Sequence, residues 1–415
     1  MSRLVETIAP TRLGAGYRRL LASSWATNLG DGIAIAAGPL LVASLTDNPF
    51  LISLAALLRW TPPLVFGLYA GALSDRLDRR MIIVVANLAR TVIVGVLVIT
   101  LLTDTLSITG ALLALSLLAT AEVFADNTAA TVLPMLVARD DLALANSRLQ
   151  AGFITLNQLV GPSIGAALFA AGTTWPFLAE VVLVALGVIF VSRIALPAHG
   201  RATGSTGNLW QDIAEGFRWT LRHAAVRTLV LTILIFNITF GAAWAVLVLY
   251  ASKRLGMGPV GFGLLTTVSA VGGLLGTALY GWITQRVSLG NIMRIGLVIE
   301  TLTHLALAMT TSPWLASAIF FVFGAHAFIW GTTSITVRQR AVPSELQGRV
   351  GSVNMIATYG GLVAGSAIGG TLAEHHGVTA PFWFAFVGSA AFVVLLWREL
   401  TRIAHADEQP EVVAA

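Results

Sequence analysis

Two apolar runs, Leu51 to Gly71 and Met81 to Leu102, stand on either side of a dense charged turn, Gly71-Ala72-Leu73-Ser74-Asp75-Arg76-Leu77-Asp78-Arg79-Arg80. The first run is interrupted only by Arg59 and Pro62-Pro63, the second only by Asn87 and Arg90. As a helix rising about 1.5 Å per residue, each is long enough to cross a bilayer core of about 30 Å. The turn is therefore a very short loop between two transmembrane helices, and its three arginines place it on the cytoplasmic side.

The same alternation recurs through all 415 residues. A first set of six spans is predicted at about 20–45, 51–71, 81–102, 106–127, 145–171 and 175–191, and a second set at about 228–250, 260–283, 292–309, 314–337, 350–373 and 381–396. With 56% hydrophobic and 11% charged residues the chain is too apolar for a soluble protein of this size. The net charge of +5 is dispersed over the loops instead of clustering, which fits membrane topology and not nucleic-acid binding. Absence of cysteine excludes disulfides, thiolate metal sites and cysteine nucleophiles. The polar start is not read as a signal peptide, because a full-length span follows it without a small-residue cleavage site.

Between the two sets, residues 193–227 turn polar, with Gly200, Gly204 and Gly207 marking a flexible linker. Within it Asn208 can cap an amphipathic helix with Gln211 three residues on. Leu209, Ile213, Phe217 and Leu221 recur every four residues, and Trp210 and Trp219 are expected near headgroup depth on the cytoplasmic face; a partner-binding helix is the other reading. The expected division is 1–192, an N-terminal six-helix bundle; 193–227, the linker; and 228–415, a C-terminal bundle with a short tail. Arg139, Arg148, Arg193, Arg286, Arg294, Arg338, Arg340, Arg349, Arg398 and Arg402 all flank ends assigned inside, so both termini are expected in the cytoplasm. Lys253-Arg254 is the exception, a basic pair on an outside loop. Internal repetition supports two related halves: Gly365-Ser366-Ala367-Ile368-Gly369 falls over Gly161-Pro162-Ser163-Ile164-Gly165 at a shift of 204 residues.

The turn Gly-x-Leu-x-Asp-Arg-x-x-Arg-Arg resembles the signature loop of the major facilitator superfamily. That resemblance implies an all-α membrane protein of twelve transmembrane helices in two pseudo-symmetric six-helix bundles, working as a secondary transporter. It also implies that Gly71, Asp75, Arg76, Arg79 and Arg80 form a gating loop that latches the cytoplasmic side shut. Asp78 stands where the family pattern has glycine; aspartate tolerates left-handed backbone better than most residues. Gly161-Pro162-x-x-Gly165 resembles part of the antiporter motif of proton-coupled exporters, a kinked, closely packed helix, although Asn157 replaces a further glycine. Small-residue packing alone also explains those three residues, and the arginine usual early in span four of drug exporters is missing. Overall the chain is similar to the bacterial exporter branch that includes enterobactin exporters and macrolide efflux proteins. The matching features include Gly30-Asp31, Arg90, Ala145-Asn146, Glu215-Gly216-x-Arg218-Trp219 and Val342-Pro343-x-x-Leu346-x-Gly348-Arg349.

Ionisable residues inside spans are few, and each needs a partner or a watered cavity, because a charge at mid-bilayer costs on the order of 3 kcal/mol even on the most forgiving scale. Asp31, Arg90 and Glu122 fall at similar depth, so Asp31 and Glu122 are expected to line a cavity with Arg90 nearby and to exchange a proton; a static salt-bridge cluster is the alternative. Glu122 and Asp126 lie one turn apart on one helix face. Glu300 and His304 share that spacing and form either a carboxylate–imidazole pair or a plain helix-stabilising pair. Arg59 and Glu180, nearer the outside, are read as a structural ion pair. Trp25, Phe236, Phe240 and Trp244 are candidate cavity aromatics.

The expected function is a proton-coupled antiporter of the bacterial inner membrane, exporting amphipathic or hydrophobic small molecules such as drugs or siderophore-like compounds by alternating access. Its partners would be a small-molecule substrate, protons and the lipid bilayer, with no nucleic acid, cofactor or metal, and the chain is expected to be a monomer. A lipid or lysolipid flippase on the same fold is the alternative reading. A non-transporting sensor is remoter, because residues 404–415 are too short for an appended domain. An enzyme is excluded by the lack of any nucleophile–base or His-Glu-x-x-His constellation.

Overall fold

The computed structural model describes residues 6, 8, 10–196 and 209–400, without the side chains of residues 72, 75, 76 and 209. Among them all regular structure is helical. The helices are α1 (Gly14–Leu45), α2 (Pro49–Arg76), α3 (Arg79–Leu102), α4 (Ile108–Leu136), α5 (Leu142–Gly152), α6 (Gly161–Ala171), α7 (Trp175–Ser192), α8 (Leu209–Arg222), α9 (Ala224–Trp244), α10 (Pro259–Thr284), α11 (Leu289–Met309), α12 (Pro313–Ala341), α13 (Gln347–His376) and α14 (Ala380–Leu396). Eleven helical stretches are long and apolar enough to cross a membrane, the fifth being α5 and α6 joined through a π-helix at Phe153–Val160. Apolar α14, at 17 residues, is shorter than the rest.

Capping residues start the spans where the sequence leaves its polar connections. Ser107 accepts from the Gly110 N–H at 3.1 Å, Ser288 from Asn291 at 3.4 Å and Ser312 from Leu315 at 3.4 Å, each satisfying an orphan donor of the first turn. Of the basic pair Lys253-Arg254, expected on an outside loop, Arg254 acquires a reason. The Arg254 guanidinium donates to the carbonyls of Thr310 (3.1 Å) and Met309 (3.2 Å), capping the negative end of α11.

Inside-out patterning marks α3 as lipid-facing. Met81, Val85, Leu88, Val92, Val96, Ile99 and Leu102, spaced three or four apart, are all exposed, while Asn87, Arg90, Val94 and Leu97 are buried on the other face.

Two compact units make up the chain. Unit 1 takes residues 1–47, 58–205 and 257–267, and unit 2 takes 48–57, 206–256 and 268–415. In unit 1, α1 packs along α6 and α7, and α3 lies between α4 and α7. Its core joins Tyr17, Leu20, Leu21, Ile83, Val132 and Val191, and Tyr17 donates its hydroxyl to the Ala145 carbonyl at 3.2 Å. In unit 2, α9 packs on α13 and α14, and α11 on α12 and α14, around a core of Val226, Leu229, Ile233, Phe236, Met293 and Leu297.

The linker helix α8 is fastened to unit 2. Arg349 at the start of α13 holds Asp212 Oδ1 and Glu215 Oε1, both at 2.9 Å, and a Cβ at Gly216 would stand 2.5 Å from the Arg349 carbonyl oxygen. Trp219 packs against the unit 2 core and stacks on His223 at 4.9 Å, so of the two tryptophans expected at headgroup depth only Trp210 is exposed. The predicted Asn208 cap lies outside the described residues.

Candidate functional site

The charged residues of unit 1 gather inside the bundle. Asp31 on α1 is 5% exposed and Arg90 on α3 is 1% exposed, and Arg90 Nη2 donates to Asp31 Oδ1 while Nη1 reaches Asn87 Oδ1 at 3.1 Å. Removing one partner from such a pair would strand a charge in a low-dielectric interior. Glu180 on α7 lies within the electrostatic reach of Arg90, fully buried, with neither carboxylate oxygen hydrogen-bonded among the described residues. Gly30 packs against it at ordinary van der Waals distance, a Cβ there standing 3.6 Å from Glu180 Cγ. Arg90 Nε is likewise without a partner.

One sequence expectation is redrawn here. Arg59 faces Glu122, Nη2 to Oε1 at 4.0 Å, and Glu180 belongs to the interior instead of forming an outer pair with Arg59. Glu122, half-buried, and Asp126, more open, share α4 within electrostatic reach of each other and of Asp31. The signal that marks Glu180 was present in the sequence as an ionisable residue within an apolar run. Its closeness to Arg90 was not, because α7 and α3 are remote in the chain.

In unit 2, Glu300 and His304 on α11 are buried, but Glu300 meets His326 of α12, Oε2 to Nε2 at 3.8 Å, and the His304 ring stands edge-on to Trp244, centroids 6.0 Å apart. Phe240 and Trp244 are half-buried and stack at 4.4 Å, with Phe323 4.7 Å from Trp244. Phe236 is packed inside the core, edge to face with Phe392 at 5.9 Å. Trp25, in unit 1, is half-buried; its indole N–H donates to the Arg148 carbonyl at 3.2 Å and its ring lies on Gly152, where a Cβ would collide with it.

The profile of the family MFS_3, described as transmembrane secretion effector, matches residues 5–412. The chain belongs to this family of major facilitator transporters. It is similar to the multidrug efflux pump Tap of Mycolicibacterium fortuitum, 27% identical over 386 residues that cover 88% of this chain and 90% of that protein. It is also similar to the enterobactin exporter EntS of Salmonella typhimurium, 24% identical over 372 residues, 86% of this chain and 85% of the other. A mutant of the nucleoside transporter NupG has the same fold, with a TM-score of 0.74 at 12% identity over 93% of this chain and 99% of that one. The major facilitator protein described here is thus an integral membrane transporter and not an enzyme.

The major facilitator signature loop is reduced to two residues, Leu77 and Asp78, between α2 and α3. Asp78 does not use left-handed backbone: at φ −64° its carboxylate caps α3, accepting from the Met81 N–H at 3.2 Å. Arg79 donates to the carbonyls of Ser74 (3.1 Å) and Thr131 (3.2 Å), tying the loop to the last turns of α4, and Arg80 is exposed. Gly71 ends in open space, and the side chains of Asp75 and Arg76 lie outside the described residues.

The antiporter-like residues are a contact between backbones. A Cβ at Gly161 would stand 2.6 Å from the Gly32 Cα, one at Gly165 would strike the Ile33 carbonyl, and one at Gly32 would stand 2.6 Å from the Leu156 carbonyl oxygen. Pro162 is buried within this seam and has no N–H to donate to the preceding turn. Just before it, the Gly161 N–H reaches back to Leu156 O, five residues away, which is the π-helical step. The seam therefore abuts the residues that immediately follow Asp31.

Proposed function

We propose that this transporter is a proton-coupled antiporter of the bacterial inner membrane. It exports amphipathic or hydrophobic small molecules, drug-like or siderophore-like, by alternating access. α14 serves as the twelfth span, so that two six-helix bundles flank the linker and both termini lie in the cytoplasm. The substrate class follows the printed names of Tap and EntS, a multidrug efflux pump and an enterobactin exporter.

One observation carries the coupling: a buried Asp31–Arg90 pair beside a buried carboxylate, Glu180, that has no hydrogen-bond partner among the described residues. Asp31 takes a proton and releases Arg90, whose guanidinium turns to the ionised Glu180, so the cluster goes from two anions against one cation to a single ion pair and the net change is one proton taken up. Because Gly32 and Ile33 abut the π-helical and Gly-Pro segment of the fifth span, a shift at Asp31 reaches that helix directly.

The test is proton flux in proteoliposomes carrying a pH dye, challenged with lipophilic drugs and a catecholate siderophore, for wild type and Asp31→Asn. Substrate-evoked proton movement that disappears in the variant supports coupling through Asp31. Transport that continues without proton movement rejects it.

A further inference from the structure

Glu300 on α11 and His326 on α12 bury an acid against a base with no permanent cation between them. His326 Nε2 lies 3.8 Å from Glu300 Oε2, just beyond hydrogen-bond reach and close enough for a side-chain torsion to close. Both are more than nine-tenths buried, and His304, one turn along α11 from Glu300, is wholly so. Neither ring nitrogen of His326 or of His304 has a hydrogen-bond partner among the described residues. Buried polar groups are ordinarily satisfied, so imidazoles left this way call for a physical reason.

Space has been made for the cluster. A Cβ at Gly296 would stand 2.7 Å from Trp330 Cδ1 and 3.2 Å from His326 Nδ1, so the glycine lets the Trp330 indole close over this side of the cluster with the imidazole beside it. On the far side the His326 ring meets Phe323 edge to face at 5.6 Å, and His304 meets Trp244. The charged and titratable groups on the surrounding elements are occupied elsewhere or lie at the helix ends. α14 offers no titratable side chain, and α9 has only Arg227, which donates to the Leu221 carbonyl. The Tyr250 hydroxyl donates to the Leu307 carbonyl, Arg254 caps α11, and Arg294 donates to the Trp397 carbonyl. On α12, Arg338 and Arg340 lie in the last turn, and on α10, which packs against α12, the Tyr280 hydroxyl accepts from Thr333 Oγ1 at 3.3 Å. No cation of these elements is bonded to Glu300 among the described residues.

Which ligand fits is decided by geometry. Among the described residues no three His, Asp or Glu side chains converge as a metal site requires, so Glu300, His304 and His326 do not form a cage for a divalent ion. A proton needs only one donor–acceptor line. We infer that unit 2 carries a proton-binding site of its own, a Glu300–His326 pair with His304 as a positioning residue at its edge. In the loaded form the Glu300 carboxylic O–H points at His326 Nε2, with the imidazole proton on Nδ1. In the unloaded form the proton has left, the imidazole holds its single proton on Nε2, and the carboxylate accepts it. The balance is one proton per cycle, with no co-reactant. This inference goes beyond the function proposed above and does not require it, since proton binding is an equilibrium property of the purified chain.

Infrared difference spectra of the whole protein in lipid nanodiscs, recorded across a pH titration, read protonated carboxyl groups directly. The expected result is a carboxylic C=O band that is lost in Glu300→Gln and kept in Asp31→Asn. In His326→Asn the same band should titrate at a pH at least one unit away from wild type, a tenfold change in proton affinity, whereas a merely space-filling imidazole would leave its midpoint in place. Should Glu300→Gln not assemble, the His326→Asn midpoint alone decides. Spectra in which His326→Asn matches wild type throughout, or in which Glu300→Gln keeps every titrating band, overturn the inference. Substrate-evoked proton flux present in wild type and lost in Asp31→Asn, with an intact Glu300 band, would support both sites, and flux absent already in wild type with that band present would reject only antiport.

Discussion

Arg90 shows how a single buried cation sets the cost of change in unit 1. Its guanidinium neutralises Asp31 inside a helix bundle, so Arg90→Met leaves a buried carboxylate unpaired and is expected to cost about 3–5 kcal/mol. Adding Asp31→Asn should recover most of that loss, which thermal unfolding of the purified single and double variants would read. Outside the spans, His223 is a second residue-scale case. Its Nδ1 accepts from the Val226 N–H at 3.4 Å and caps α9, and burial holds its imidazole below the usual 6.5. A histidine with a lowered value is neutral when folded, so its contribution is present above about pH 6.5 and lost as pH falls through the lowered value. Hydrogen exchange at the first turn of α9 should therefore quicken on acidification, and His223→Asn, which caps without titrating, should flatten that dependence.

At the level of helices, contact is set where side chains are missing. Gly32 lies against the Leu156 and Asn157 carbonyl oxygens, where a Cβ would stand 2.6 and 2.7 Å away. Gly32→Ala has to push α1 off the π-helical segment, an overpacking cost of about 1–3 kcal/mol, and should lower Tm. Gly71→Ala, at a glycine with open space around it, should be near neutral in the same assay. The π-helix itself was not legible. Pro162 announces a break in the hydrogen-bond ladder, but whether a helix answers with a kink or a wider turn depends on the neighbour it packs against. The linker helix α8 gives a second prediction. Arg349→Ala removes both anchors of Asp212 and Glu215, so protection of residues 209–222 in hydrogen exchange should fall several-fold. Arg349→Lys should restore only part of it, since an ammonium cannot span two carboxylates with a planar fork.

The chain as a whole lends itself to a topology test because it contains no cysteine. With a membrane-impermeant maleimide, Thr105→Cys is expected to label in intact cells and Leu77→Cys only after permeabilisation. The reverse pattern would invert the topology read from the arginines. At this scale the reading from sequence was strong for membrane class and family, since apolar runs and the charged turn are properties of neighbouring residues. Residues 48–57 fall in unit 2 while the rest of α2 falls in unit 1, and residues 257–267, which take in the start of α10, fall in unit 1, an assignment that no local pattern announces.

What the amino-acid sequence determined by itself is what depends on spacing along the chain: apolar helical runs, the short charged turn between the second and third spans, the Gly-Pro interruption of the fifth span, and the set of ionisable residues that must lie inside. What only the tertiary structure decided is how those residues pair. Arg90 reaches Asp31 from another helix, Arg59 faces Glu122 instead of Glu180, and Glu300 meets His326 and not its neighbour one turn away. The physical reason is that helix formation is written in local periodicity. The partner of a buried charge is fixed by helix rotation and crossing, which the packing of small residues such as Gly32 and Gly296 sets only once the helices have met.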